Sequence, residues 1–186
     1  MDAEDVLLGA DGKMRKAIEV LKEDLSAIRT GRASPGLVNN VRVDYHGVPV
    51  LINQIASISV PEARLLVIQP WERDILPSIE KAILKSDLGL TPTNDGNVIR
   101  LVIPQLTEER RNQLVKMVGK RVEEGKVAVR NVRRDGLERI RELKDNKEIS
   151  EDEQKRVLGR LQQITDRFIE DIDKIASDKE SELLEF

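Results

Sequence analysis

Apolar residues recur along both ends of this chain at steps of three and four. Near the start, Met14, Ile18, Leu21, Leu25 and Ile28 keep that rhythm. Further on, Val115, Val118, Val122, Val129, Val132, Ile140 and Leu143 repeat it, with Gly125 and Gly136 at two of its positions. The last stretch carries it through Val157, Leu161, Ile164, Phe168, Ile172 and Ile175. Such a stripe forms a narrow apolar seam that a helix buries on partner helices. Thr107 can cap the second helix, and Glu108 and Glu109 suit its positive dipole end. Ser150 with Glu153 has the capping-box spacing for the third. The short connection 146–149 makes these two helices antiparallel neighbours. Three helices sharing seams predict a bundle. Gly119, Gly125, Gly136 and Gly159 each weaken a helix slightly, and their ordinary role is close helix approach.

The middle of the chain follows a different rhythm. Val41-Arg42-Val43-Asp44-Tyr45 alternates, His46-Gly47 offers a turn, and residues 48–51 resume a strand. Residues 58–60, 65–68 and 98–103 are further strand candidates, the last following the turn signal Asn94-Asp95-Gly96-Asn97. A short helix is predicted over 72–86, with Pro77 in its first turns and Ile75, Ile79 and Ile83 on one side. All seven prolines lie between Pro35 and Pro104. Proline disrupts helix interiors, so this partition separates two helical arms from a turn-rich insert. The expected fold is α+β. Residues 1–30 with 106–186 form an elongated three-helix bundle, and 31–105 form a small inserted β/α/β domain. A helix over 107–145 would extend roughly 58 Å at the standard rise. A compact chain of this length is only about 41 Å across. The expectation is therefore an elongated molecule.

Composition narrows the chemistry. The chain has 186 residues, 39% hydrophobic and 35% charged, with only 2% aromatic. So few rings argue against a base-stacking RNA module. The absence of cysteine removes disulfides, thiolate metal sites and thiol nucleophiles. No stretch has the apolar length of a membrane span, and the acidic start lacks a signal-peptide core. A cytoplasmic protein with no membrane association is expected. His46 is the only histidine and sits beside a turn glycine. No calcium loop, glycine-rich phosphate loop or serine nucleophile elbow occurs. The reading is a non-enzyme with no catalytic residues, no metal site and no cofactor.

The net charge of −3 hides a division. Residues 110–147 carry 13 Lys+Arg against 6 Asp+Glu, whereas 148–186 carry 6 against 12. Lys126, Arg130 and Arg133 follow i, i+4, i+7 spacing and share a face off the seam, extended by Arg134. Arginine forks make charge-assisted bonds to phosphate, so the stripe suits an RNA backbone. The alternative is that these cations pair internally with the acidic third helix. Clustering in Arg130-Asn131-Val132-Arg133-Arg134-Asp135 favours a binding face. A helical scaffold that self-associates through its seams is the rival function class.

Several ordered motifs resemble the ribosome recycling factor family. They are Arg29-Thr30-Gly31-Arg32-Ala33-Ser34-Pro35, Ser86-Asp87-Leu88-Gly89-Leu90, Leu106-Thr107-Glu108-Glu109-Arg110-Arg111 and Val127-Ala128-Val129-Arg130-Asn131-Val132-Arg133-Arg134-Asp135. Lys147-Glu148-Ile149-Ser150-Glu151-Asp152 and the closing Phe186 agree. Ile103-Pro104-Gln105-Leu106 departs from the family's frequent double proline. The resemblance implies an L-shaped monomer that binds the post-termination ribosome. With elongation factor G and GTP, it would help to separate the subunits and release mRNA. It implies that Arg111, Arg130 and Arg133 contact large-subunit ribosomal RNA. It also implies hinge segments at Thr30, Gly31, Arg32, Ala33 and Ser34, and at Pro104, Gln105 and Leu106.

Overall fold

A computed structural model describes residues 2–184 of the chain; Phe186, the closing residue of the family resemblance, lies outside them. Among the described residues there are four α-helices: α1 Ala3–Ser26, α2 Leu76–Lys85, α3 Glu108–Asp145 and α4 Glu151–Leu184. The chain divides into two compact units, crossing between them at Ile28/Arg29 and again at Arg110/Arg111.

The first unit holds α1, most of α3, and α4. Ala3, Val6, Leu7 and Ala10 of α1 pack with Ile140 and Leu143 of α3 and with Val157 and Leu161 of α4. Arg160 donates to both carboxylate oxygens of Glu4 at 2.7 and 2.8 Å, and Arg167 donates to Asp11. Each of these pairs spans 156 residues. The constant offset means that α1 and α4 run parallel. Helix α3 runs against both, since its Gly125 faces Leu21 while Ile140 and Leu143 meet the beginning of α1. The caps follow their sequence signals. Arg110 N–H donates to Thr107 Oγ1 at 3.1 Å, and Glu153 N–H to Ser150 Oγ at 3.1 Å. Between α3 and α4, Lys147 adopts φ 60, and its N–H and that of Glu148 close back onto Lys144 O and Leu143 O. This pattern terminates α3 and turns the chain around.

The bundle corrects details of the sequence reading. Leu114, not Val115, leads the buried stripe of α3, and Val132, Ile164 and Ile175 are only half-buried. Thr165 takes a core position between Leu161 and Phe168. Its hydroxyl donates to Leu161 O at 2.8 Å, so burial leaves no donor unpaired. A Cβ at Gly125 would lie 3.2 Å from Leu21, and one at Gly136 would lie 3.1 Å from Leu161. Gly119 and Gly159 face open space, so close approach explains only two of the four helix glycines.

The second unit has two antiparallel sheets. Strands β1 Arg42–Tyr45 and β2 Val48–Leu51 form a hairpin. Its turn residues His46 and Gly47 have φ 50 and φ 86, the mirror-image geometry that matches strand twist. Strands β3 Ala56–Glu62, β4 Leu65–Pro70, β5 Pro92–Asn94 and β6 Ile99–Val102 pair in the order β3-β4-β6-β5. Ile79 and Ile83 of α2 are buried in one core with Leu66, Ile68, Ile99 and Leu101. Strand β5 is the element the sequence reading lacked.

Candidate nucleic-acid interface

Helix α3 supplies the basic residues, because its apolar stripe fixes which flank each side chain occupies. Val129 is fully buried, and its neighbours in space are sorted by angle from it. Arg130 and Arg134 are exposed, whereas Lys126, Arg133 and Arg111 are half-buried beside the seam. The shared face off the seam is therefore not uniform: Arg130 is exposed, and Arg133 sits closer to the core.

Their partners differ as well. Lys126 Nζ lies 2.7 Å from Asp173 Oδ1 of α4, and its side chain is only 23% exposed. For this cation the internal pairing with the acidic helix is realised. Arg130 instead reaches back along its own helix, donating through Nη1 to Glu123 Oε1 at 3.1 Å. That pair is half-exposed on both sides, so solvent weakens it to a fraction of a kcal/mol, about 0.2–1. Arg133 Nε is buried without a hydrogen-bond partner. A buried donor left unmet is costly, and a phosphate oxygen would satisfy it. Among the described residues, the structure gathers Arg130, Arg133 and Arg134 on one stretch of α3 with Lys126 at its edge, and Arg111 stands apart near the helix start.

The residues singled out as a hinge lie in the second unit. Thr30 is buried, and Gly31 is buried with φ 76. A Cβ on Gly31 would stand 3.0 Å from Leu106 Cγ, so glycine is required here both by backbone conformation and by space. Arg32 is half-buried. Ala33 N–H donates to Ala63 O at 2.7 Å, and Ser34 Oγ accepts from Gly36 N–H. On the other segment, Ile103 N–H donates to Arg64 O at 2.8 Å; Pro104 and Gln105 are exposed, and Leu106 is half-buried. Arg29, just ahead, donates from Nη2 to Asp87 O at 3.2 Å and from Nη1 to Leu88 O. Sequence reasoning did not find this clamp, which links residues 58 and 59 positions apart.

Among the described residues, no three His, Asp or Glu side chains gather as metal ligands, and no helix is long and apolar enough to cross a membrane.

The sequence pattern described as "Ribosome recycling factor" matches residues 21–184. The ribosome-recycling factor of Syntrophomonas wolfei is 56% identical over 181 residues, spanning 97% of this chain and 98% of its own. That of Heliobacterium modesticaldum is 55% identical, spanning 94% and 95%. The fold is similar to the solution structure of a ribosome recycling factor, with TM-score 0.83, 47% identity, and 100% and 99% of the two chains covered. It is also similar, at TM-score 0.70 and 44% identity over 99% and 100%, to a structure from a study of the T. thermophilus ribosome recycling factor and E. coli elongation factor G bound to the E. coli post-termination complex. With likeness of sequence and fold running through nearly the whole length, this chain belongs to the ribosome recycling factor family.

Proposed function

We propose that this protein binds the post-termination ribosome and, together with elongation factor G and GTP, promotes its separation into subunits and release of mRNA. The observation that carries the reading is end-to-end similarity to ribosome recycling factors, one of them studied with elongation factor G on that complex. In this reading the protein is a cytoplasmic monomer that performs no bond chemistry of its own. It supplies shape and charge. Arg130, Arg133 and Arg134, with Lys126 and Arg111 as flanking cations, hold the phosphate backbone of large-subunit ribosomal RNA. Arg133 is central among them because its unmet Nε donor gains a partner on binding. Thr30, Gly31, Arg32, Ala33 and Ser34, with Pro104, Gln105 and Leu106, form the paired connections through which the two units move. The nearness of both segments to the chain crossings supports that role.

Co-sedimentation with purified large ribosomal subunits over a salt series tests the interface. Each phosphate neutralised changes log affinity by roughly 0.9 per unit of log salt. Between 50 and 200 mM salt that is about 3.5-fold for every phosphate a variant no longer neutralises. Arg130→Ala and Arg133→Ala should each flatten the slope by about one unit, and lysine should restore it only in part. Binding that is indifferent to salt and to both variants would leave the self-associating scaffold as the better account. A subunit-splitting assay with elongation factor G and GTP tests the wider reading.

A further inference from the structure

Aromatic side chains are scarce here, yet the only tryptophan, the only tyrosine and the only histidine stand together in the unit of residues 29–110. Tyr45 ends β1 and His46 occupies the hairpin tip, their rings edge to face with centroids 4.5 Å apart. Trp71 follows β4, its backbone N–H donating to Ile55 O at 3.2 Å, and is 68% exposed. Glu72 joins the group. The Tyr45 hydroxyl donates to its Oε1 at 2.8 Å, and its Oε2 lies 3.7 Å from His46 Nε2. Tyr45, Trp71 and Glu72 line a cavity of about 110 Å³ with Gln54, Ile55 and Ile75.

The chemistry of this patch selects its occupant. An indole left mostly in water is the kind of side chain that anchors a protein interface once covered. Its ring face carries negative potential and attracts cations. Glu72 places a carboxylate beside it, with Oε1 accepting from the Tyr45 hydroxyl and Oε2 3.7 Å from the exposed imidazole of His46. No lysine or arginine lines the cavity to receive a phosphate. A nucleotide would find rings to stack on, but its backbone would meet a carboxylate. Guanidinium satisfies both features, because it stacks flat on an aromatic face and bonds a carboxylate at its edge. We propose that Trp71 and Glu72 form a docking site for an arginine-bearing segment of a partner protein, with Tyr45 as the residue that positions the carboxylate. The site is carried by the second unit and is independent of the arginines of α3.

Trp71 is the sole tryptophan, so emission from the full-length chain reports this patch directly. The probe is the blocked tripeptide Gly-Arg-Gly, compared with its citrulline counterpart, which keeps the shape and loses the charge. The arginine peptide should give a saturable change in emission that the citrulline peptide does not. Glu72→Gln should weaken that binding at least about fivefold, and Tyr45→Phe about two- to threefold, in line with loss of a charge-assisted bond and of its support. Circular dichroism checks that both variants stay folded: Glu72 is exposed, and Tyr45→Phe keeps the ring that packs against the core. Equal response to the citrulline peptide, or an unchanged midpoint in Glu72→Gln, overturns the proposal. Tighter binding of oligouridylate than of the arginine peptide also overturns it and makes the patch an RNA contact.

Discussion

Replacing Gly136 and Gly119 of α3 by alanine separates helix propensity from helix packing within one element. Both substitutions gain the same intrinsic term, about 0.8–1 kcal/mol. At Gly119 the new methyl meets nothing within 4 Å, so the gain should appear in full. At Gly136 it meets Leu161 Cδ2 at 3.1 Å and Cδ1 at 3.4 Å. Leu161 is fully buried, so making room for the methyl shifts it against its core neighbours. Overpacking of this kind costs about 1–3 kcal/mol, which cancels or exceeds the propensity gain. Gly119→Ala should therefore melt above the parent and Gly136→Ala at or below it. With about 2–4 °C per kcal/mol at this chain length, the two should differ by roughly 2–12 °C. Thermal unfolding followed by far-ultraviolet circular dichroism reads the difference. If Gly136→Ala proved as stabilising as Gly119→Ala, the close approach of α3 to α4 would be refuted.

Acid should weaken the pairing of α1 with α4. Arg160 holds the Glu4 carboxyl below its ordinary 4.5, and Arg15 and Arg167 hold that of Asp11 below 3.8. Because both folded values are depressed, the stabilisation is present above the unfolded values and fades as pH falls through the lower folded ones. Melting temperature should drop below about pH 4.5, and the drop should be shallower in a Glu4→Gln, Asp11→Asn variant. Lys126→Ala and Asp173→Asn should each cost less than about 1 kcal/mol and be non-additive in a double-mutant cycle. Additivity would remove the interhelical pair. Gly31→Ala should destabilise the second unit by about 1–3 kcal/mol, through its positive φ and the crowding of Leu106. An unchanged urea midpoint would contradict that.

What the sequence made legible was local. Thr107, Ser150 and His46-Gly47 act through neighbours two or three residues away, so their signals survive without a fold. The seams were legible as periods, but their phase was not: choosing Leu114 over Val115 requires knowing where the partner helices stand. Thr165 reads as polar by its hydroxyl, and only the bond to Leu161 O, which no hydropathy pattern records, lets it take a core position. Strand β5 has three residues and begins with proline, too short to alternate visibly. At the candidate interface, spacing put Lys126, Arg130 and Arg133 on one flank. Whether α4 offers an acid to each depended on tertiary geometry: Lys126 meets Asp173 of α4, whereas Arg130 pairs with Glu123 of its own helix. The aromatic patch was illegible for the same reason, since Tyr45 and Glu72 stand 27 positions apart.

The parallel course of α1 and α4 dictates an order of assembly during synthesis. The ion-paired residues of α1 wait for partners 156 positions downstream. At about 5–20 residues per second, that interval lasts on the order of ten seconds or more. Throughout it, Ala3, Val6, Leu7 and Ala10 lack Val157 and Leu161 of their core, whereas the strands and α2 of the second unit are all made once residue 110 has been added, well before α4. The inserted unit can therefore be complete before the unit that encloses it in sequence. Until α4 is made, the apolar stripe of α1 stays uncovered, a surface open to a chaperone or to a neighbouring nascent chain.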